Sequence, residues 1–336
     1  MRYNPALDGL RAVAIILVLA THYSSTAFPG GWIGVDVFFV LSGYLITSIL
    51  LREIREKGGI DFSKFYARRA IRLMPPLLLT CLAILVISMR SSHGEDIRRY
   101  LLFTVSYLLN WKPLLPVNDS VNSMDHTWSL ATEEQFYILW PLALPFIMTL
   151  RRPIVALLGA TAAMTFVRFA FWHFWDFGDG EWLLKFSLLR PVGLLVGCAL
   201  AFLPLRQWRS PIAVQGALVV GLGVMALCPI YADNLWGPLA ASLISAGLIV
   251  CLQGPSFLAM SPLRYIGKIS YGIYLYHCPI VIYGRPYTSS LLLIGLSVIV
   301  AALSYEFFEK PILGLKARFQ PRNETDVPEG GIVAQG

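Results

Sequence analysis

Charge is scarce in this chain of 336 residues: Asp, Glu, Lys and Arg make up 14% of it, against 56% apolar residues. A soluble globule of that size needs more polar surface to face water, so the composition excludes one. Period-two alternation is missing too, which excludes a lipid-facing barrel. There is no dinucleotide fingerprint, no phosphate-loop motif, no paired-carboxylate metal motif and no internal repeat. The five cysteines, Cys81, Cys198, Cys228, Cys251 and Cys278, all fall inside apolar runs without paired or metal-like spacing. They read as small hydrophobic residues, and no metal is expected. The net charge of +7 does not point to nucleic acid, because the basic residues sit in short loops between apolar runs rather than on one soluble face.

What the chain does have is apolar runs long enough to cross a bilayer, and a mean hydropathy of +0.63. In lipid only helices close their own backbone hydrogen bonds, so the expected fold is all-α, a polytopic helical membrane bundle. The runs predict ten transmembrane helices, at roughly 8–28, 32–51, 72–90, 133–150, 153–175, 184–204, 211–231, 236–253, 267–284 and 288–308. The first run is read as a retained span rather than a cleaved signal, since it carries Arg11 and His22 and a second run follows at once. The stretch Leu101 to Val117 is interrupted by Asn110, Lys112, Pro113 and Pro116. Counting it as an eleventh crossing would put every later basic loop outside, so it is read as an outer, partly re-entrant segment. Both termini are then cytoplasmic. A single membrane domain over residues 1–318 and a disordered polar tail over 319–336 complete the expected organisation.

Ionisable groups inside spans are costly and functional by default. Arg11 and His22 are eleven residues apart, which returns them to within roughly 20° of one helical face, about 16 Å apart along the axis. Asp36 lies about a turn into the second span, at a depth that can meet His22 if the two runs form a hairpin. An aspartate on one imidazole nitrogen would leave the other free as a general base. Asp36 also suits the plain role of a first-turn acid on a helix dipole. Arg168, Arg190 and Glu306 are candidates for buried pairs, and His277 reads as a packed histidine.

Several blocks resemble one family. Leu7-Asp8-Gly9-Leu10-Arg11, then ten residues, then His22, is followed by Gly34-Val35-Asp36-Val37-Phe38-Phe39-Val40-Leu41-Ser42-Gly43-Tyr44. Phe65 to Pro75 holds Arg68, Arg69 and Arg72; His126-Thr127-Trp128-Ser129-Leu130 precedes Glu133-Glu134-Gln135-Phe136-Tyr137; Ser270 to His277 and Tyr305 to Pro311 complete the order. The set resembles the acyltransferase 3 family over residues 7 to about 311. The resemblance implies acyl transfer, most often acetyl from acetyl-CoA, to hydroxyls of bacterial surface polysaccharides, peptidoglycan or signalling oligosaccharides, and in some relatives to macrolides. It implies a location in the bacterial cytoplasmic membrane, and that Arg11 and His22 are required. Some relatives carry an esterase-like domain after the membrane part; its absence here leaves the acceptor less constrained.

On this reading His22, Asp36, Arg11, Glu134 and His126 are the catalytic candidates, and Trp128 and Ser129 face the substrate. Arg68, Arg69 and Arg72, with Arg11, suit the phosphates of coenzyme A, since guanidinium groups bind phosphate in bidentate fashion. Positive-inside charge would explain some of them without a ligand. The expected partners are acyl-CoA, a carbohydrate acceptor, first of all an exopolysaccharide or lipid-linked sugar, and membrane lipid; a homo-oligomer is compatible with all of this. Transfer is either direct, with His22 as base, or through an acyl intermediate on His22, Ser42 or Ser129. The rival from another class is an ion-coupled carrier or flippase, which the missing repeat disfavours.

Overall fold

The computed structural model describes residues 3–89, 94–114, 123–174, 192–205, 210–228 and 236–314. Among these residues there are helices and turns and no strand. The helices are α1 (Pro5–Tyr23), α2 (Ile33–Lys57), α3 (Phe62–Ser88), α4 (Gly94–Val105), α5 (Trp128–Thr149), α6 (Pro153–Phe174), α7 (Val192–Ala201), α8 (Ile212–Leu227), α9 (Trp236–Cys251), α10 (Ser261–Gly284), α11 (Ser290–Ser304) and α12 (Lys310–Gly314). Short 3₁₀ segments occupy Leu109–Leu114, Asp125–Thr127 and Phe257–Ala259, and a π turn joins α11 to α12. Each of the ten apolar runs contains a helix. Five stretches, Pro5–Tyr23, Ile33–Lys57, Phe62–Ser88, Pro153–Phe171 and Ser290–Gly314, are long and apolar enough to cross a membrane, and α7, α8 and α9 are shorter apolar helices. The polar tail after residue 318 and Arg190 lie outside the described residues.

Local chemistry sets the helix ends. Asn4 caps α1 by accepting from the Ala6 backbone N–H at 3.1 Å, with Pro5 at the first helical position. Gly58, at φ +76°, closes α2 in the left-handed conformation after Arg55 and Lys57 in its last turn. Asp61 caps α3; the hydrogen bond from the Lys64 backbone N–H holds its carboxyl below the ordinary range. α4 has twelve residues, about 18 Å and so short of the roughly 30 Å hydrocarbon core. It breaks at Tyr107, a non-glycine residue at φ +54°.

The bundle is built around α1, which packs between α2 and α10, while α2 also packs on α7 and α9. Small residues permit these contacts, as expected where lipid supplies no hydrophobic drive between helices. A Cβ on Gly267 would fall 1.8 Å from the Asp8 carbonyl oxygen, and one on Gly9 would fall 1.9 Å from that of Leu258. Polarity is inverted relative to a soluble protein. Asp36, His126, Glu134, Arg168, Gln215 and His277 are buried, whereas Leu139, Leu142, Phe146, Phe166, Leu291 and Ile299 face outward, as a lipid solvent requires.

Candidate active site

A cavity of about 350 Å³ runs between α1, α2, α3, α5 and α10. Its mouth carries Tyr3, Asp8, Arg11, Arg69 and Arg72; its throat is lined by Phe38, Phe39, Ile46 and Leu130, and Ser129 and Tyr274 also form its wall. Arg11 donates to Asp8 Oδ1 at 2.8 Å, and the Tyr3 hydroxyl donates to Asp8 Oδ2 at 2.5 Å. Arg69 lies over the Tyr137 ring, 3.9 Å from its centre, with its Nε buried and without a hydrogen bond among the described residues. Arg72 reaches the same space from the next turn of α3. Behind it Pro75 and Pro76 sit inside the helix, so the carbonyls of Ile71 and Arg72 lose their intrahelical donors. Arg68 departs from this group: it faces Glu53 at 3.7 Å and is not on the cavity wall. Of the three arginines expected to hold phosphate, the structure brings Arg69 and Arg72 together with Arg11.

The acidic residue on the wall is Glu133, not Glu134. Its Oε1 accepts from the Ser42 hydroxyl at 2.8 Å, and its Oε2 from Tyr137 at 3.4 Å. Glu134, one residue on and so about 100° round α5, is buried with Oε1 unpartnered among the described residues, close enough to feel the charges of Arg69 and Arg72. Trp128 does not face substrate space either; it is buried edge-on to Phe39, ring centres 6.3 Å apart. Ser129 does line the cavity, with Oγ 2.6 Å from the Tyr274 hydroxyl, which also donates to the His126 carbonyl at 2.5 Å.

Beyond Tyr274 stands a file of three imidazoles. The His126 ring lies 5.1 Å from that of Tyr274 and 5.0 Å from that of His277, and His277 lies 4.7 Å from His22. Trp32 closes the far side at 5.0 Å from His22. His22 Nδ1 is 2.9 Å from the Val18 carbonyl. A carbonyl only accepts, so Nδ1 carries the hydrogen and Nε2 keeps its lone pair, as a general base requires.

That geometry corrects the expected pairing with Asp36. The helix's own carbonyl, four residues back, takes the nitrogen that the aspartate was to hold. Asp36 is also on the wrong face: Gly34 lies against Ala14 of α1, and two residues on is roughly 200° round the helix. There the α2 backbone at Asp36 meets Gly193 of α7, whose added Cβ would stand 3.2 Å from the Asp36 carbonyl oxygen. His277, read from sequence as a packed histidine, is instead the neighbour of His22. Among the described residues, His22, His277 and Cys278 also place one possible metal-ligating atom each within 4.8 Å of one another; tetrahedral zinc would need them closer, about 3.5 Å apart. Glu306 pairs with Lys310 at 2.7 Å on the exposed side.

Sequence reasoning missed Glu133, Tyr271 and Tyr274. All three sit in blocks that carry the family resemblance, which was the available signal; what hid them was the lack of any way to rank residues within a block by face.

The protein's relatives agree with this layout. YrhL of Bacillus subtilis (strain 168) is 34% identical over 93% of this chain and 55% of its own length. The O-acetyltransferase OatA of Staphylococcus aureus (strain MRSA252) is 33% identical over 99% of this chain and 61% of its own. The peptidoglycan O-acetyltransferase OatA of Listeria monocytogenes is 31% identical over 93% of this chain and 56% of its own. The chain thus spans little more than half the length of these relatives. No solved structure matches it. The sequence model of the acyltransferase domain family, acyltransferase 3, matches residues 4–305, and the chain, a helical membrane protein, belongs to that family.

Proposed function

We propose that this protein moves an acyl group, acetyl foremost, from acyl-CoA on the cytoplasmic side of the bacterial cytoplasmic membrane to a carbohydrate hydroxyl on the outer side. The observation that carries the reading is the cavity with three arginines at its mouth, an apolar throat, and Ser129 and Tyr274 set against the imidazole file. Guanidinium groups suit the phosphates of coenzyme A, and the throat suits its pantetheine arm. A wider cavity of about 1260 Å³ lies alongside, sharing Tyr3 and Asn4 with the narrow one and lined by Arg52 and Arg55; its size suits the nucleotide end of the donor. The basic residues Arg52, Arg55, Lys57 and Lys64 gather around the α2–α3 turn, and that favours this end, with both termini, in the cytoplasm.

For the acceptor, peptidoglycan replaces exopolysaccharide as first choice, because the Listeria relative is named for it. In the direct route His22 Nε2 removes the acceptor's hydroxyl proton as that oxygen attacks the thioester carbonyl, and neighbouring donors steady the oxyanion. One observation favours a second route. The cavity reaches Ser129 and Ser42 but not His22, so an acyl group carried briefly on a serine would need less rearrangement of the Tyr274 wall.

The test is purified protein in liposomes, given labelled acetyl-CoA and, separately, glycan strands, exopolysaccharide, lipid-linked sugar and a macrolide. Label on a carbohydrate hydroxyl is the expected result. Label on the protein after acid quench, absent in Ser129→Ala, would select the serine route. No labelled acceptor together with solute flux would put a carrier in its place.

A further inference from the structure

His277 is the buried ionisable group for which the proposed chemistry has no use. It lies on α10, fully buried, with Nδ1 3.1 Å from the Ile273 carbonyl and Nε2 without a hydrogen-bond partner among the described residues. The tautomer follows as it does for His22. Nδ1 must donate to a carbonyl, so Nε2 presents a lone pair. Two neighbouring rings, 4.7 Å apart, therefore offer two lone pairs and no proton between them. A buried acceptor left unmatched costs about 1–3 kcal/mol, and the deficit is one proton.

We propose that His277 is a positioning residue for the transfer reaction, whose Nε2 shares with His22 Nε2 the proton that the acceptor hydroxyl gives up. The inference rests on the acyl-transfer reading. The acceptor O–H bond breaks and its proton passes to His22 Nε2. The oxygen forms the new C–O bond at the thioester carbonyl. The C–S bond then breaks, coenzyme A leaves as thiolate with the electron pair, and the imidazole pair returns the proton to sulfur. In between, an imidazolium N–H on His22 donates to the His277 lone pair, so the charge is spread over two rings in a place with little water to support it. A ring nitrogen of each already lies within 4.8 Å of the other; closing to hydrogen-bond distance takes a shift of about 2 Å.

The surroundings leave this role to His277. Around the pair are Trp32, Cys278, His126 and, at the His22 carbonyl, the Arg285 guanidinium at 3.0 Å. Arg285 and neutral Trp32 cannot accept the proton, and no carboxylate bonds to either ring. Asp125 is held by Lys112 at 2.9 Å and by the Tyr100 hydroxyl.

Volume-matched and acceptor-matched variants separate this role from packing. His277→Leu fills the space but accepts nothing; His277→Gln keeps an acceptor oxygen. Steady-state transfer should show kcat lowered about 10²-fold in His277→Leu, with KM for acyl-CoA within about twofold of wild type, and about tenfold recovered in His277→Gln. A purely structural role predicts the reverse order, because leucine suits a dry helix interface better than glutamine. His277→Leu at or above the rate of His277→Gln overturns the proposal; where the leucine variant does not fold, His277→Ala takes its place against glutamine. His22→Ala serves as the reference. If it too transfers at the wild-type rate, the acyl-transfer mechanism itself falls, whereas a dead His22→Ala beside an active His277→Leu removes only the second histidine.

Discussion

The mouth of the cavity and the imidazole file behind Tyr274 are built on opposite principles. At the mouth every acid has a partner, Asp8 with Arg11 and Tyr3, Glu133 with Ser42 and Tyr137, and guanidinium groups face open space. Behind Tyr274 the groups are neutral rings with lone pairs unmatched and no carboxylate bonded to them. The first arrangement tolerates water and grips a multiply charged ligand; the second excludes water and moves a single proton. Burying formal charge is expensive, so the protein keeps charge where the donor brings its own and uses titratable neutral groups where the chemistry is dry. One aromatic residue, Tyr274, separates the two.

The comparison can be broken most sharply at His22. His22→Ala should lower kcat by about 10²- to 10⁴-fold while acyl-CoA binding, measured by calorimetry on the folded protein, stays near wild type. Loss of donor binding instead would merge the two regions into one. At the mouth, Arg69→Ala with Arg72→Ala should leave kcat nearly intact and raise KM for acyl-CoA by about 10- to 100-fold, since each charge-assisted contact is worth about 1.5–3 kcal/mol. An unchanged KM would return both arginines to the role of topology signals. Arg68→Ala, on the Glu53 side, should shift KM less than about twofold.

The dividing residue gives a smaller effect. Tyr274→Phe removes the hydroxyl shared by Ser129 and the His126 carbonyl, and about 1 kcal/mol lost from that network predicts a five- to tenfold fall in kcat. A larger fall with acyl-enzyme accumulation would favour the serine route. The smallest catalytic effect belongs to Asp36→Asn. Because Asp36 faces α7, the variant should lose thermal stability while keeping kcat per folded molecule within about threefold; a loss comparable to that of His22→Ala would revive the dyad.

The fate of Asp36 explains what the sequence could and could not disclose. Apolar runs fix helices because lipid leaves the backbone no alternative, so each of the ten runs became helical and the Leu101 stretch broke at Tyr107. Depth along a helix was legible as well, and it placed His22 correctly on α1. Rotation was not. The choice between Glu133 and Glu134, or between Asp36 and His277 as the neighbour of His22, turns on about 100–200° of helix phase. That phase is set by contacts between helices far apart in sequence, such as α1 on α10 and α2 on α7. The arginines divided for the same reason: all three follow from the motif, but Glu53 on the neighbouring helix claims Arg68.

The glycines that let α1 and α10 touch also limit how the site can open. With backbone atoms in contact at Gly9 and Gly267, neither helix has slack to slide or roll against the other, because any side chain carried into the seam collides at once. His22 and His277 ride on these two helices, so their spacing is locked by the seam and survives whatever happens at the rest of the site. Joining the cavity to the imidazoles therefore falls to the opposite wall, through rotation of Tyr274 and displacement of the segment that carries His126. The reaction centre works as a fixed anvil, and access to it is governed from the side of α5.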